Sequence, residues 1–211
     1  MLLPFAVANT ASSTPIVSEY RQIALAPELQ VKDASVIPVV PFYSQFKDIQ
    51  AAAWQKIGCG VTSLAMVIDY YKPDAVSVDA LLKQGIAEGA YLKSAGWTYK
   101  GLIQLSQKYG LDGKSYDLGT LTGDAAFTQL KAYLKDGPVI ASVHYKFDPK
   151  STIPHLVVIN GVDNGVIYYN DPAAKTGEKQ ISATDFLKGW KKRFIVIRPT
   201  KAAGEVALAR T

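Results

Sequence analysis

Apolar residues recur at three- and four-residue steps through the first half of the chain and crowd into short β-branched runs through the second. Between Cys59 and Tyr71, the residues Val61, Leu64, Ala65, Ile68 and Tyr71 trace one helical face, and Pro73 stops it. Ser77 caps a segment carrying Leu81, Leu82 and Ile86. Thr98 precedes Leu102, Ile103, Leu105 and Tyr109, which ends at Gly110, and Thr122 opens a helix with Phe127, Leu130 and Leu134 that Gly137 closes. Strands are predicted over Pro138–Tyr145, His155–Val162, Val166–Asn170 and Phe194–Ile197, all rich in Val, Ile and Tyr. One late helix starts at the capping pair Ser182 and Asp185 and runs through Phe186, Leu187 and Trp190. Helices first and strands later predict an α+β fold.

The chain has 211 residues, enough for one ordinary domain. No internal repeat or Pro/Gly/Ser-rich linker divides it, so residues 36–200 read as one unit. Residues 1–35 read as a signal remnant or flexible arm, with Ala6-Val7-Ala8 resembling a cleavage site, and residues 201–211 as a loose tail. Export to the cell envelope or beyond is the expectation that follows. An apolar share of 48% against 19% charged residues argues against disorder over most of the chain. No run is long and apolar enough for a membrane span. The net charge of +5 is dispersed apart from Lys191-Lys192-Arg193, read as a solvated helix end, so no basic stripe for nucleic acid is formed.

One cysteine and two histidines exclude an intrachain disulfide and leave no zinc-type ligand cluster, so no metal or other cofactor is expected. The single thiol is Cys59, in Gly58-Cys59-Gly60 at the mouth of a predicted helix. There, unpaired N–H groups and the positive dipole end favour thiolate, and the glycines let substrate come close. Either His144 or His155 must supply a base. His144 lies within a strand, whereas His155 sits at a strand tip, from which its ring can reach a neighbouring helix end. Asp171 ends the following strand. Cys, His and Asp in this order are the minimum set for a papain-type thiol hydrolase.

Pro41-Phe-Tyr-Ser-Gln45, Trp54, Gly58-Cys-Gly-Val-Thr-Ser-Leu-Ala-Met66, Asp69-Tyr-Tyr71, Gly137-Pro-Val139, His155-Leu-Val-Val-Ile-Asn-Gly-Val-Asp163 and Asn170-Asp-Pro172 together resemble the C-39-like peptidases. These are papain-fold cysteine peptidases related to the leader-removing domains of bacteriocin exporters, and the resemblance runs from about Val39 to Pro172 in the family's order. It implies Cys59 as nucleophile, His155 as base, Asp171 as its orienter, and a glutamine holding the oxyanion. Gln45 is preferred for that last role because its setting matches the family motif, with Gln55 as the alternative.

The expected activity is hydrolysis of a peptide or amide bond through an acyl-enzyme. Transfer of the acyl group to an amine, or a binding module without turnover, are the other readings. The expected partner is a peptide or protein substrate and the expected state a monomer. Trp54, Gly58, Gly60, Trp97 and His144 are the candidate substrate contacts. One geometric condition attaches to the site. A two-residue turn at Asn164-Gly165 pairs Val166 with Asp163 and turns Asp171 away from His155. A three-residue loop, Asp163-Asn164-Gly165, with Gly165 left-handed, pairs Asp171 with Val157 on the His155 face, and is therefore the one expected.

Overall fold

A computed structural model describes residues 37–93 and 95–200. The expectations for residues 1–35 and 201–211 lie outside the described residues. The elements in chain order are α1 (Ala52–Gln55), α2 (Cys59–Tyr71), α3 (Val78–Ala87), β1 (Tyr91–Leu92), β2 (Gly96–Trp97), α4 (Tyr99–Gln107), β3 (Leu111–Asp117), α5 (Gly123–Leu134), β4 (Val139–His144), β5 (Pro154–Asp163), β6 (Val166–Asn170), β7 (Lys179–Ser182), α6 (Ala183–Gly189) and β8 (Trp190–Pro199). A 3₁₀ turn, Tyr145–Phe147, follows β4. Helix starts follow their caps: Ser77, Thr98, Thr122 and Ser182 each accept a hydrogen bond from the N–H three residues on, at Ala80, Gly101, Ala125 and Asp185.

Strands β3-β8-β4-β5-β6-β7 form one antiparallel sheet in that spatial order. Its central strands are buried on both faces, which is why they read as continuous Val/Ile runs rather than alternating ones. One face places Ile140, Leu156, Val158, Ile195 and Ile197 against Leu64, Ile68, Leu81 and Leu105 of α2, α3 and α4. The other places Val139, Ala141, Val157, Ile159 and Phe194 against Ala126, Leu130 and Phe186 of α5 and α6. Helix α2 is buried from Gly60 to Asp69, so the helix that begins at Cys59 is held on all sides and not along the single stripe its spacing suggested. Truncating a side chain such as Leu64, fully buried there, costs about 2–5 kcal/mol.

Three expectations need correcting. The edge strands β3 and β7 and the β1–β2 hairpin are absent from the sequence reading. Strand β3 has one buried residue in seven, Leu111, and its partner β8 lies at the far end of the chain, so neither pattern nor proximity marks it. Lys191-Lys192-Arg193 is not a helix end: α6 stops at Gly189, and the three cations belong to β8.

The third correction is the hairpin. Asp163 pairs with Val166 across a two-residue turn in which Asn164 (φ 46°) and Gly165 (φ 79°) are both left-handed, the type I′ geometry that the dipeptide favours. The face is restored further along. Ile159 pairs with Tyr169 but Gly161 with Tyr168, so Asn160 is an extra residue in β5 with no partner on β6. Beyond this bulge Val158 faces Asn170, and one more step sets Asp171 opposite Val157, on the side of His155.

Replacing Gly165 with alanine adds a Cβ to a left-handed residue. The urea midpoint should fall by the equivalent of about 1 kcal/mol, and an unchanged midpoint would mean that the turn is not held as described.

Candidate active site

Helix α2 presents Cys59 at its first position, and its N-cap Gly58 (φ −80°, ψ 1°) provides no side-chain cap to the first turn. Unpaired N–H groups and the positive end of the helix dipole therefore lie beside the sulfur. The flanking glycines are required by packing. A Cβ on Gly58 would stand 2.2 Å from Ile49 Cδ1, and one on Gly60 would stand 2.6 Å from Cβ and Cγ of Trp97. Neither glycine lines the cleft.

The cleft over Cys59 encloses about 680 Å³ between Gln45, Trp97, Tyr99, His155, Lys191 and Arg193 among others. His155, the second residue of β5, is 4% exposed, and its Nε2 lies 2.6 Å from Oδ1 of Asp171. The same oxygen accepts the N–H of Ala173 at 2.8 Å, which fixes the carboxylate. Cys59 and the ring line the same cleft, and the sulfur, like Asp171, favours the charged form of the imidazole. With Nε2 given to Asp171, Nδ1 is the atom left for sulfur. The Tyr145 ring stands edge-on to the imidazole, 5.4 Å between centroids.

Burial alone would push the His155 imidazolium down. The hydrogen bonds and charges of Asp171 and Cys59 outweigh it and raise the group to about 9. Asp171, at 2.6 Å, is the partner that favours the charged form of the ring.

The two glutamines have different surroundings. Gln45 is 3% exposed and lines the cleft with Cys59. Its Nε2 donates one proton to the Gln55 carbonyl at 2.7 Å, keeping a second, and its backbone N–H donates to the Pro172 carbonyl at 2.8 Å. Gln55 instead gives its amide to the carbonyls of Phe46 (3.2 Å) and Ile49 (2.9 Å), closing the loop before α1.

Trp97 forms a cleft wall, with Nε1 donating to the Ile57 carbonyl at 2.7 Å. Trp54 does not reach the cleft. It packs behind that wall, against Tyr91 at 5.0 Å and Trp97 at 6.3 Å. His144 is likewise removed from it. Val143 pairs with His155 and His144 with Pro154, so the two histidines point to opposite faces, and Nδ1 of His144 meets the Ser151 carbonyl at 2.7 Å.

Several lining residues escaped the sequence reading. Tyr91 sits on a two-residue strand with no pattern to reveal it. Lys191 and Arg193 were assigned to a helix end, although the Val/Ile run that follows them could have extended the strand back to include them.

Residues 37–195 match the Peptidase_C39 like family. Over 144 residues the chain is 26% identical to the pediocin PA-1 transport/processing ATP-binding protein of Pediococcus acidilactici, covering 67% of this chain and 17% of that protein. Among solved structures, a double-glycine-motif protease from an AMS/PCAT transporter, in complex with its leader peptide, is 25% identical with a TM-score of 0.53, covering 77% of this chain and 94% of that one. A C39-like peptidase from Bacillus anthracis is 19% identical with a TM-score of 0.54, covering 80% of this chain and all of the other, and shares the fold.

The His155–Asp171 pair predicts a pH dependence of stability. Because the folded-state value, about 9, exceeds the ordinary 6.5, the pair's contribution is complete below pH 6.5 and is lost as pH rises through 9. Thermal unfolding of the wild type should therefore drop over this window relative to Asp171→Asn. Parallel curves for the two proteins would show that the pair does not hold the proton.

Proposed function

The chain belongs to the Peptidase_C39 like family and is a cysteine peptidase of papain-like α+β fold, and on that premise we propose that Cys59, His155 and Asp171 cleave a peptide bond through an acyl-enzyme. The observation that carries this reading is the buried imidazole that meets a carboxylate at 2.6 Å and lines one cleft with the thiol. The sulfur gives its proton to the His155 ring and attacks the carbonyl carbon. The developing oxyanion is met by the Cys59 N–H and by the second amide proton of Gln45. His155 then passes its proton to the leaving amine, so the bond to nitrogen breaks as the thioester forms. Water, deprotonated by the same ring, attacks the thioester and frees the acyl product and the thiol. Asp171 holds the ring and stabilises its cationic form throughout.

The chain spans about a sixth of the pediocin transporter it matches, so that protein's transport and processing are not carried over. A peptide with a double-glycine motif, the class named for the AMS/PCAT relative, is the first substrate to test. Export rests on the composition of residues 1–15 alone.

Wild-type protein should hydrolyse peptides from a mixed library, with product masses fixing the bond. Cys59→Ala should lose all turnover, and His155→Ala at least about a hundredfold. His144→Ala, whose ring is tied to the Ser151 carbonyl and does not line the cleft, should stay within about tenfold of wild type. Residual turnover in Cys59→Ala, or a larger loss for His144→Ala than for His155→Ala, would overturn the assignment.

A further inference from the structure

Strand β8 enters the sheet through an irregularity that lies against the cleft. Ser142 of β4 pairs with Arg193, and the next residue, Val143, pairs with Trp190, so Lys191 and Lys192 are extra residues on the β8 side. Lys192 is left-handed (φ 56°), a conformation in which an L-residue is strained. Four hydrogen bonds hold it there. Nζ of Lys192 donates to the carbonyls of Gly119 (3.0 Å) and Leu121 (2.7 Å), its own carbonyl accepts the Leu118 N–H (2.9 Å), and Trp190 Nε1 spans the bulge to the Arg193 carbonyl (3.1 Å). While Lys192 is consumed in this way, its neighbours Lys191 and Arg193 line the cleft.

The two cations are under-compensated. Arg193 gives Nε to Asp117 at 2.9 Å and keeps both terminal amino groups, and Lys191 has no carboxylate partner among the described residues. Partial burial and the Arg193 charge push the Lys191 ammonium down. Arg193 lies two strands from His155, across β4, which is roughly 10 Å at sheet spacing. An extended peptide advances roughly 3.3 Å per residue, so that distance corresponds to about three residues.

We propose that Lys191 and Arg193, aimed by the pinned bulge, form a carboxylate-reading subsite of the peptidase cleft, about three residues from the bond cleaved. It rests on the peptidase reading above and adds a substrate class to it: peptides with a carboxylate at that distance, supplied by an acidic side chain or by the chain's own C-terminus.

The test uses quenched fluorescent peptides with amidated C-termini that carry Glu, Gln or Lys three residues from the scissile bond on either side. The wild type should favour Glu over Gln by about tenfold in kcat/KM on one of the two sides and disfavour Lys. Lys191→Glu should invert the Glu-to-Lys ratio, whereas Lys191→Arg should keep it. A free acid compared with an amide at a terminus three residues away separates the terminal source from the side-chain one. Binding of the same peptides to Cys59→Ala, followed by fluorescence anisotropy, reads the ranking without turnover. Equal treatment of Glu, Gln and Lys, or a preference unmoved by Lys191→Glu, overturns the subsite and leaves the peptidase reading standing. Charge-dependent binding without hydrolysis in the wild type supports the subsite and counts against the peptidase reading alone.

Discussion

The parity of one strand register governs whether His155 and Asp171 can meet. Side chains on a strand alternate with a period of two, so shifting the pairing by one residue moves Asp171 to the far face. Asn164 and Gly165 take the tight left-handed turn that suits the twist of a hairpin, and that turn has the wrong parity. Asn160 supplies the missing residue. Its side chain is 3% exposed, and its Oδ1 has no hydrogen-bond partner among the described residues. The 2.6 Å contact, the raised imidazole and the direction of its remaining nitrogen all depend on that bulge.

The same loop that presents Asp171 also positions the glutamine. The Pro172 carbonyl accepts the Gln45 N–H, and the Ala174 carbonyl accepts the Ser44 hydroxyl at 3.1 Å. Just before the loop, fully buried Asn170 donates to the Val40 carbonyl at 3.0 Å and accepts the Glu178 N–H at 2.8 Å. The segment from Val40 to Gln45 and the end of β6 are thus tied by hydrogen bonds that avoid the reacting atoms. The carboxylate that orients the base and the amide that faces the oxyanion then move as one body, which is what holding both to within a fraction of an ångström requires.

The sequence was legible where physics is local. Ser77, Thr98, Thr122 and Ser182 mark their helix starts because a capping hydroxyl needs only the next few N–H groups. Cys59 at a helix mouth and His155 at a strand tip were readable for the same reason. What failed was non-local. Strand β3 is defined by a partner more than 70 residues away, and Trp54 was placed in the cleft when the β1–β2 hairpin stands between. The glycines flanking Cys59 have a packing cause that the sequence reading did not contain. Their lack of a Cβ leaves room for Ile49 and Trp97, partners that no spacing along the chain reveals.

Both irregularities of the sheet shape the cleft, one in β5 by setting the parity that brings Asp171 to the base and one in β8 beside the cationic wall. A regular strand can only alternate its side chains, so neither arrangement is available without an extra residue. A left-handed Lys192 costs about 1–2 kcal/mol, and the hydrogen bonds across the bulge, at about 1 kcal/mol each, offset it. Such strain persists only where the surroundings over-determine it. Here they do so through Lys192's own ammonium, which commits one of three consecutive cations to backbone carbonyls and leaves the two beside it lining the cleft. The chemistry of the cleft wall therefore follows from where the strand departs from regularity, and a reading of charge along the chain, which counted the three as equivalent, had no means of separating them.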